Sequence, residues 1–262
     1  MAWTLHEGDS ARVLKTLGAD SIDLTVTSPP YDNLRTYKGF TFDFETIAQE
    51  LYRVTKHGGV VVWVVGDATI NGSETGTSFR QALQFMDIGF NLHDTMIWRK
   101  TKPLPQEQHP RYNPAFEYMF VFCKGYPPST FNPIQEVNKN AGKTITTSGH
   151  RKTDDTFRHK HKKQITIKEQ KNKSNVWDFS SLTVKGHPAP FPEKLAHDHI
   201  ISWSNHGDLI LDPFAGSGTT LKVAESLGRN SIGIELSEEY CEIIRKRMAN
   251  RQTTLFEMGV TS

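Results

Sequence analysis

Two short stretches, far apart in a chain of 262 residues, carry side chains whose types and order could do chemistry together. Thr27-Ser28-Pro29-Pro30-Tyr31 offers a hydroxyl, a carbonyl presented by a turn that two consecutive prolines pre-set, and an aromatic face. Those groups suit the holding and activation of an amino group on a planar ring. An exocyclic amine is a poor nucleophile because its lone pair is delocalised into the ring. Acceptors aimed at its hydrogens favour a more tetrahedral nitrogen, and stacking holds the ring in line for attack. Ser28 Oγ and the Pro29 carbonyl can accept, and Tyr31 can stack. The same residues also suit a simple proline turn capping a buried strand.

The second stretch is Asp212-Pro213-Phe214-Ala215-Gly216-Ser217-Gly218-Thr219-Thr220. It reads as a strand ending in an acid, a tight glycine turn and a helix start, and the glycines let backbone pass close to a ligand. Glu235 ends the next strand, 17 residues after Gly218, near the spacing at which a carboxylate accepts from ribose hydroxyls. A Gly-x-Gly turn alone is more often a plain helix entry. The strand-end acids, with neither a Gly-x-Gly-x-x-Gly run nor a Gly-Lys-Thr phosphate loop, point to a nucleoside without a polyphosphate. Together the two stretches suggest methyl transfer from S-adenosylmethionine to a nucleobase amine, without a metal or a covalent nucleophile.

The elements that must position these residues alternate. Strands are expected at 3–7, 22–27, 60–65, 94–98, 117–123, 209–211 and 231–234, with helices at 10–17, 44–55 (stopping at His57-Gly58-Gly59), 78–86, 192–204, 219–227 and 237–250. The apolar run Val60 to Val65 suits a strand buried on both faces, with Trp63 in the core. Strands separated by helices predict an α/β fold with a doubly wound, mostly parallel sheet. Residues 124–185 read as a long loop region or insertion.

The paired motifs resemble the beta class of DNA amino-methyltransferases, in which the catalytic motif precedes the cofactor motif. His6-Glu7-Gly8-Asp9 and His187-Pro188-Ala189-Pro190-Phe191-Pro192-Glu193-Lys194-Leu195 are similar to further motifs of that class, and Ile97 to Lys100, Glu117 to Gly125 and Asn175-Val176-Trp177 also look familial. The resemblance implies a seven-stranded Rossmann-like sheet in a single domain over 1–262: a catalytic half at 1–100, a loop-rich target-recognition region at 101–185 and a cofactor half at 186–262. It implies S-adenosylmethionine held by Asp9 (adenine), Phe191, Asp212 (the amino group), Phe214, Gly216, Ser217, Gly218, Thr219 and Glu235 (ribose). Duplex DNA is the implied substrate, with its target base flipped into the Ser28 to Tyr31 pocket. Ser at position 28, where adenine enzymes usually carry Asp or Asn, resembles the cytosine-N4 subgroup. Adenine-N6 methylation, an RNA substrate, and a catalytically silent nucleic-acid-binding module remain the rival readings. The class often dimerises and often accompanies a restriction endonuclease, so a homodimer and a cognate endonuclease are partners to consider.

Bulk properties agree with one sizeable α/β domain plus an insertion. The net charge of +2 conceals an uneven distribution, because residues 139–173 hold eleven basic against three acidic residues and the remainder is acidic. Arg151, Lys152, Arg158, Lys160, Lys162 and Lys163 are the expected DNA contacts in that segment, which could equally be a solvated loop. His150, His159 and His161 lie there without a cysteine or carboxylate at ligand spacing, so no metal site is expected. Arg111 is expected near the substrate channel. Cys123 and Cys241 are expected to be reduced thiols. No apolar run is long enough for a bilayer and no secretory signal is visible, which points to the cytoplasm.

Overall fold

In the computed structural model the described residues are 2–30, 43–103, 110–147, 163–180 and 192–257, without the side chains of 147, 163 and 250–257. In chain order they form β1 (Trp3–Glu7), α1 (Ser10–Val13), β2 (Ile22–Thr27), α2 (Phe44–Val54), β3 (Thr55–Val65), β4 (Thr69–Ile70), β5 (Ser73–Glu74) and α3 (Thr77–Ile88). There follow β6 (Phe90–Lys100), β7 (Phe116–Lys124), β8 (Gln135–Val137), β9 (Thr144–Thr147), β10 (Lys163–Thr166), β11 (Gln170–Asn172) and β12 (Val176–Phe179). The chain continues through α4 (Glu193–Trp203), β13 (Leu209–Asp212), α5 (Thr219–Ser226), β14 (Asn230–Glu235) and α6 (Glu238–Glu257).

Eight strands join in one sheet, ordered β1-β14-β13-β2-β3-β7-β6-β12. Every pairing is parallel except the two that β7 makes, so β7 alone runs against the rest. The alternation of strands and helices thus gives the mostly parallel α/β sheet that it predicts. The sheet has one strand more than the expected seven, because β12 adds to the edge beside β6. Residues 124–185 are therefore not one long loop: Val176–Phe179 is sheet, with Trp177 and Phe179 buried at alternate positions.

Burial on both faces follows from the β3 sequence. Val61, Trp63 and Val65 pack toward α2 and α3, among Leu51, Phe85 and Phe122. Val64 stands opposite Met119, whose sulfur lies 3.3 Å from Nε2 of His199 on α4, so the even-numbered residues face the other helical layer. The Trp63 indole donates to Gln81 Oε1 at 2.9 Å, which satisfies its one polar atom in the core. β3 starts at Thr55, five residues before the apolar run. Thr55 pairs with Ile22, and α2 ends at Val54 rather than at the glycines. The expected helix at 10–17 is split into α1 and a 3-10 turn at Leu14–Thr16.

The described chain divides into two compact units, residues 1–132 with 175–262 and residues 133–174. The second unit is an antiparallel ribbon, in which β8 pairs with β11 and β9 with β10.

Candidate active site

The two chemical stretches meet at the centre of the sheet. β2 and β13 are neighbours in parallel, with Leu24 beside Ile210 and Thr25 beside Leu211, so Thr27 and Asp212 end side by side. From this pair the chain winds outward in opposite directions, to β3 on one side and β14 on the other. Ligands of open α/β sheets bind at such a switch point, outside the carboxyl ends of the strands. The Thr27 hydroxyl donates to Asp212 Oδ1 at 2.7 Å, a bond across 185 residues of sequence, and the Phe214 N–H donates to the same oxygen at 3.1 Å. Asp212 is 1% exposed. Burial pushes its carboxyl up to about 6, although hydrogen bonds from Thr27, Thr220 and Phe214 pull the other way. Ser28 continues from Thr27 at this edge, half-buried, and Pro29 is buried. Tyr31 and Phe191 lie outside the described residues.

The glycine turn is shaped from both sides. Gly216 and Gly218 adopt φ of 53° and 80°, in the left-handed region that favours glycine. A Cβ on Gly218 would meet Ile244 Cγ1 at 3.0 Å. The Gly216 N–H donates to Glu235 Oε2 and the Ser237 N–H to Oε1, each at 2.8 Å. Burial raises the Glu235 carboxyl, partly offset by those two N–H groups. Each oxygen keeps a further acceptor direction for a ligand hydroxyl.

Asp9 reaches the same edge because β1 pairs with β14, Glu7 beside Glu235. It caps α1, accepting from the Arg12 N–H at 3.1 Å, and the adjacent Ser10 hydroxyl donates to the Pro213 carbonyl. Phe214 is half-buried with its ring edge-on to Trp63, centroids 6.1 Å apart. Thr219 is buried and Ser217 half-buried at the start of α5.

Three supporting residues escaped sequence reading. Arg247 on α6 donates to the Ser217 carbonyl at 2.8 Å and to Glu193 Oε1 at 2.7 Å, and Lys222 donates to the same Glu193 oxygen at 2.6 Å. Burial of Glu193 favours its neutral form, but these two cations outweigh it and lower its carboxyl below the ordinary range. Only Glu193 had a signal, its place in the Pro192-Glu193-Lys194-Leu195 stretch.

Of the expected DNA contacts, Arg151, Lys152, Arg158, Lys160 and Lys162 lie outside the described residues, as do His150, His159 and His161; Lys163 opens β10. Arg111 bonds the turn of the β4–β5 hairpin, through the Gly72 carbonyl and Glu74. Burial pushes both cysteine thiols up to about 11, which leaves them unreactive. Among the described residues no three His, Cys, Asp or Glu side chains cluster as a metal site, and no helix is long and apolar enough to cross a membrane.

S-adenosylmethionine carries a ribose diol, a sulfonium and an ammonium group. Two buried strand-end carboxylates, a glycine turn with room for close approach and an aromatic wall are a donor and acceptor set that fits it. Fold and site therefore define a nucleoside-dependent α/β transferase. More narrowly, the chain belongs to the DNA methylase family of N6/N4 amino-methyltransferases, whose model matches residues 22–246. It is 52% identical over 246 residues to the orphan methyltransferase M.BamHII of Bacillus amyloliquefaciens, covering 90% of this chain and 92% of that one. It is 30% identical over 255 residues to the type II methyltransferase M.HpaI of Haemophilus parainfluenzae, covering 92% and 72%. Among solved structures, the DNA modification methylase TTHA0409 of Thermus thermophilus in complex with S-adenosyl-L-methionine superposes with a TM-score of 0.64, at 28% identity over 95% of each chain. The protein is an S-adenosylmethionine-dependent DNA amino-methyltransferase.

Proposed function

We propose that the enzyme methylates the N4 amine of cytosine within a specific duplex sequence, on a base flipped out of the helix. The observation that carries this reading is the placement of Ser28 at the carboxyl end of β2, next to the Thr27–Asp212 bond that joins the catalytic and cofactor halves. S-adenosylmethionine, when bound, supplies an electrophilic methyl group. Asp212, Phe214, the 216–219 turn, Glu235, Asp9 and Phe191 hold it, and Ser28 Oγ and the Pro29 carbonyl accept the two amine hydrogens, which localises the nitrogen lone pair. Tyr31 stacks on the base. The insertion, whose compact described part is 133–174, selects the target sequence, with the basic residues Arg151, Lys152, Arg158, Lys160, Lys162 and Lys163 on phosphates. The orphan description of M.BamHII supports an enzyme that works without a cognate restriction endonuclease. Adenine-N6 methylation is the second reading, favoured by a family that joins N6 and N4 enzymes.

Ser28→Ala tests the assignment. Turnover on duplex DNA should fall at least about 100-fold while S-adenosylmethionine binding, measured by calorimetry, is retained. Unchanged turnover would remove Ser28 from the catalytic role.

A further inference from the structure

We propose that one face of the 133–174 ribbon, formed by Thr144, Thr146, Gln164 and Thr166, reads base edges in the major groove of the duplex substrate. The inference rests on the DNA-methylating function above and adds the surface that gives it specificity. The register places Thr144 opposite Thr166 and Thr146 opposite Gln164, so all four side chains project from the same face. Between them Ile145 stands opposite Ile165 on the other face, an apolar cross-strand pair that steadies the ribbon.

All four polar side chains are exposed. They are uncharged donors and acceptors, the chemistry that base edges require, whereas lysines and arginines dominate the flanking sequence from 139 to 173. That division corresponds to the two tasks of a sequence-specific interface, with neutral groups for the bases and cations for the phosphates.

Dimensions agree as well. Paired strands lie about 4.8 Å apart and a major groove is about 12 Å wide, so it admits a two-stranded ribbon. Same-face residues on one strand are about 6.8 Å apart, close to two base-pair steps of about 3.4 Å each. Gln164 is the strongest reader, because a carboxamide pairs in bidentate fashion with adenine N6 and N7. The geometry thus points to an adenine in the recognition sequence, at the position Gln164 controls.

The experiment compares the full-length wild type with Gln164→Ala, with Thr144→Val/Thr146→Val, and with Glu136→Gln/Lys171→Gln, a pair on the same ribbon outside the reading face. Each methylates a randomised duplex library, with base-resolved sequencing of the products, and S-adenosylmethionine affinity is measured alongside. Gln164→Ala should relax discrimination at one position by about tenfold or more, and the double Val variant at adjacent positions, with cofactor affinity unchanged. The Glu136/Lys171 variant should keep the wild-type motif. Active Gln164 and Thr variants with an unaltered motif, or a uniform loss of activity without relaxed specificity, would overturn the reading face. A wild type that methylates no duplex at all would instead overturn the substrate assignment beneath it.

Discussion

Asp212→Asn separates the charge of the central acid from its geometry. In the wild type, Oδ1 alone accepts from both Thr27 and Phe214, so an asparagine carbonyl can keep both bonds. Its amide can donate to the Thr220 hydroxyl, which itself donates to the Val26 carbonyl. The charge is what changes. Burial raises the carboxyl from 3.8 to about 6, a rise of about two, and each such step corresponds to about 1.4 kcal/mol. Between those values the folded protein binds more protons than the unfolded chain. Stability therefore falls as pH rises from about 4 to 6, by about 3 kcal/mol in all, and stays lower above. Asp212→Asn should be more stable than wild type by up to about 3 kcal/mol at pH 7.5, and by little near pH 4, in denaturant titrations without cofactor. The same substitution should weaken S-adenosylmethionine binding, because the anion that faces the cofactor's cationic end is gone. Wild-type affinity should rise about tenfold per pH unit up to about 6 and then level, while the variant's stays flat over that range. An equal stability difference at pH 4 and 7.5, or wild-type cofactor affinity in the variant, would refute the reasoning.

Two further substitutions probe the glycine turn. Gly218→Ala forces an L side chain into φ of 80° against Ile244, and should cost about 1–2 kcal/mol in thermal or denaturant unfolding; an unchanged midpoint would mean the turn relaxes freely. Arg247→Met removes the link between the Ser217 carbonyl and Glu193, and should raise the KM for S-adenosylmethionine about fivefold with kcat less affected. Arg247→Lys should restore part of the loss, and a fall confined to kcat would show that Arg247 acts elsewhere.

The chemical stretches were legible because each lies within a few consecutive residues at a strand end, and β3 because six successive apolar residues leave little else to be. Strand pairing was not. β8 to β11 carry few apolar residues and have no buried face, so no hydrophobic period marks them. β12 is four residues long and is easily lost among polar neighbours, although Trp177 and Phe179 alternate. The start of β3 was hidden by Gly58 and Gly59, which signal a helix end but here carry a strand, with the first at φ of 78°. Within the site, the Ser10 to Pro213 bond spans 203 residues and the Arg247 to Ser217 bond 30, so they depend on the fold and left no local signal.

The central claim is that the residues at the ends of β2 and β13 form one site that methylates cytosine N4 in duplex DNA. Its most direct test is incubation of the purified protein with duplex DNA and labelled S-adenosylmethionine, followed by nucleoside mass spectrometry and single-molecule sequencing. The account predicts labelled N4-methylcytosine at one recurring motif; labelled N6-methyladenine in its place would contradict the base assignment, and no labelled nucleoside despite cofactor binding would contradict the claim as a whole.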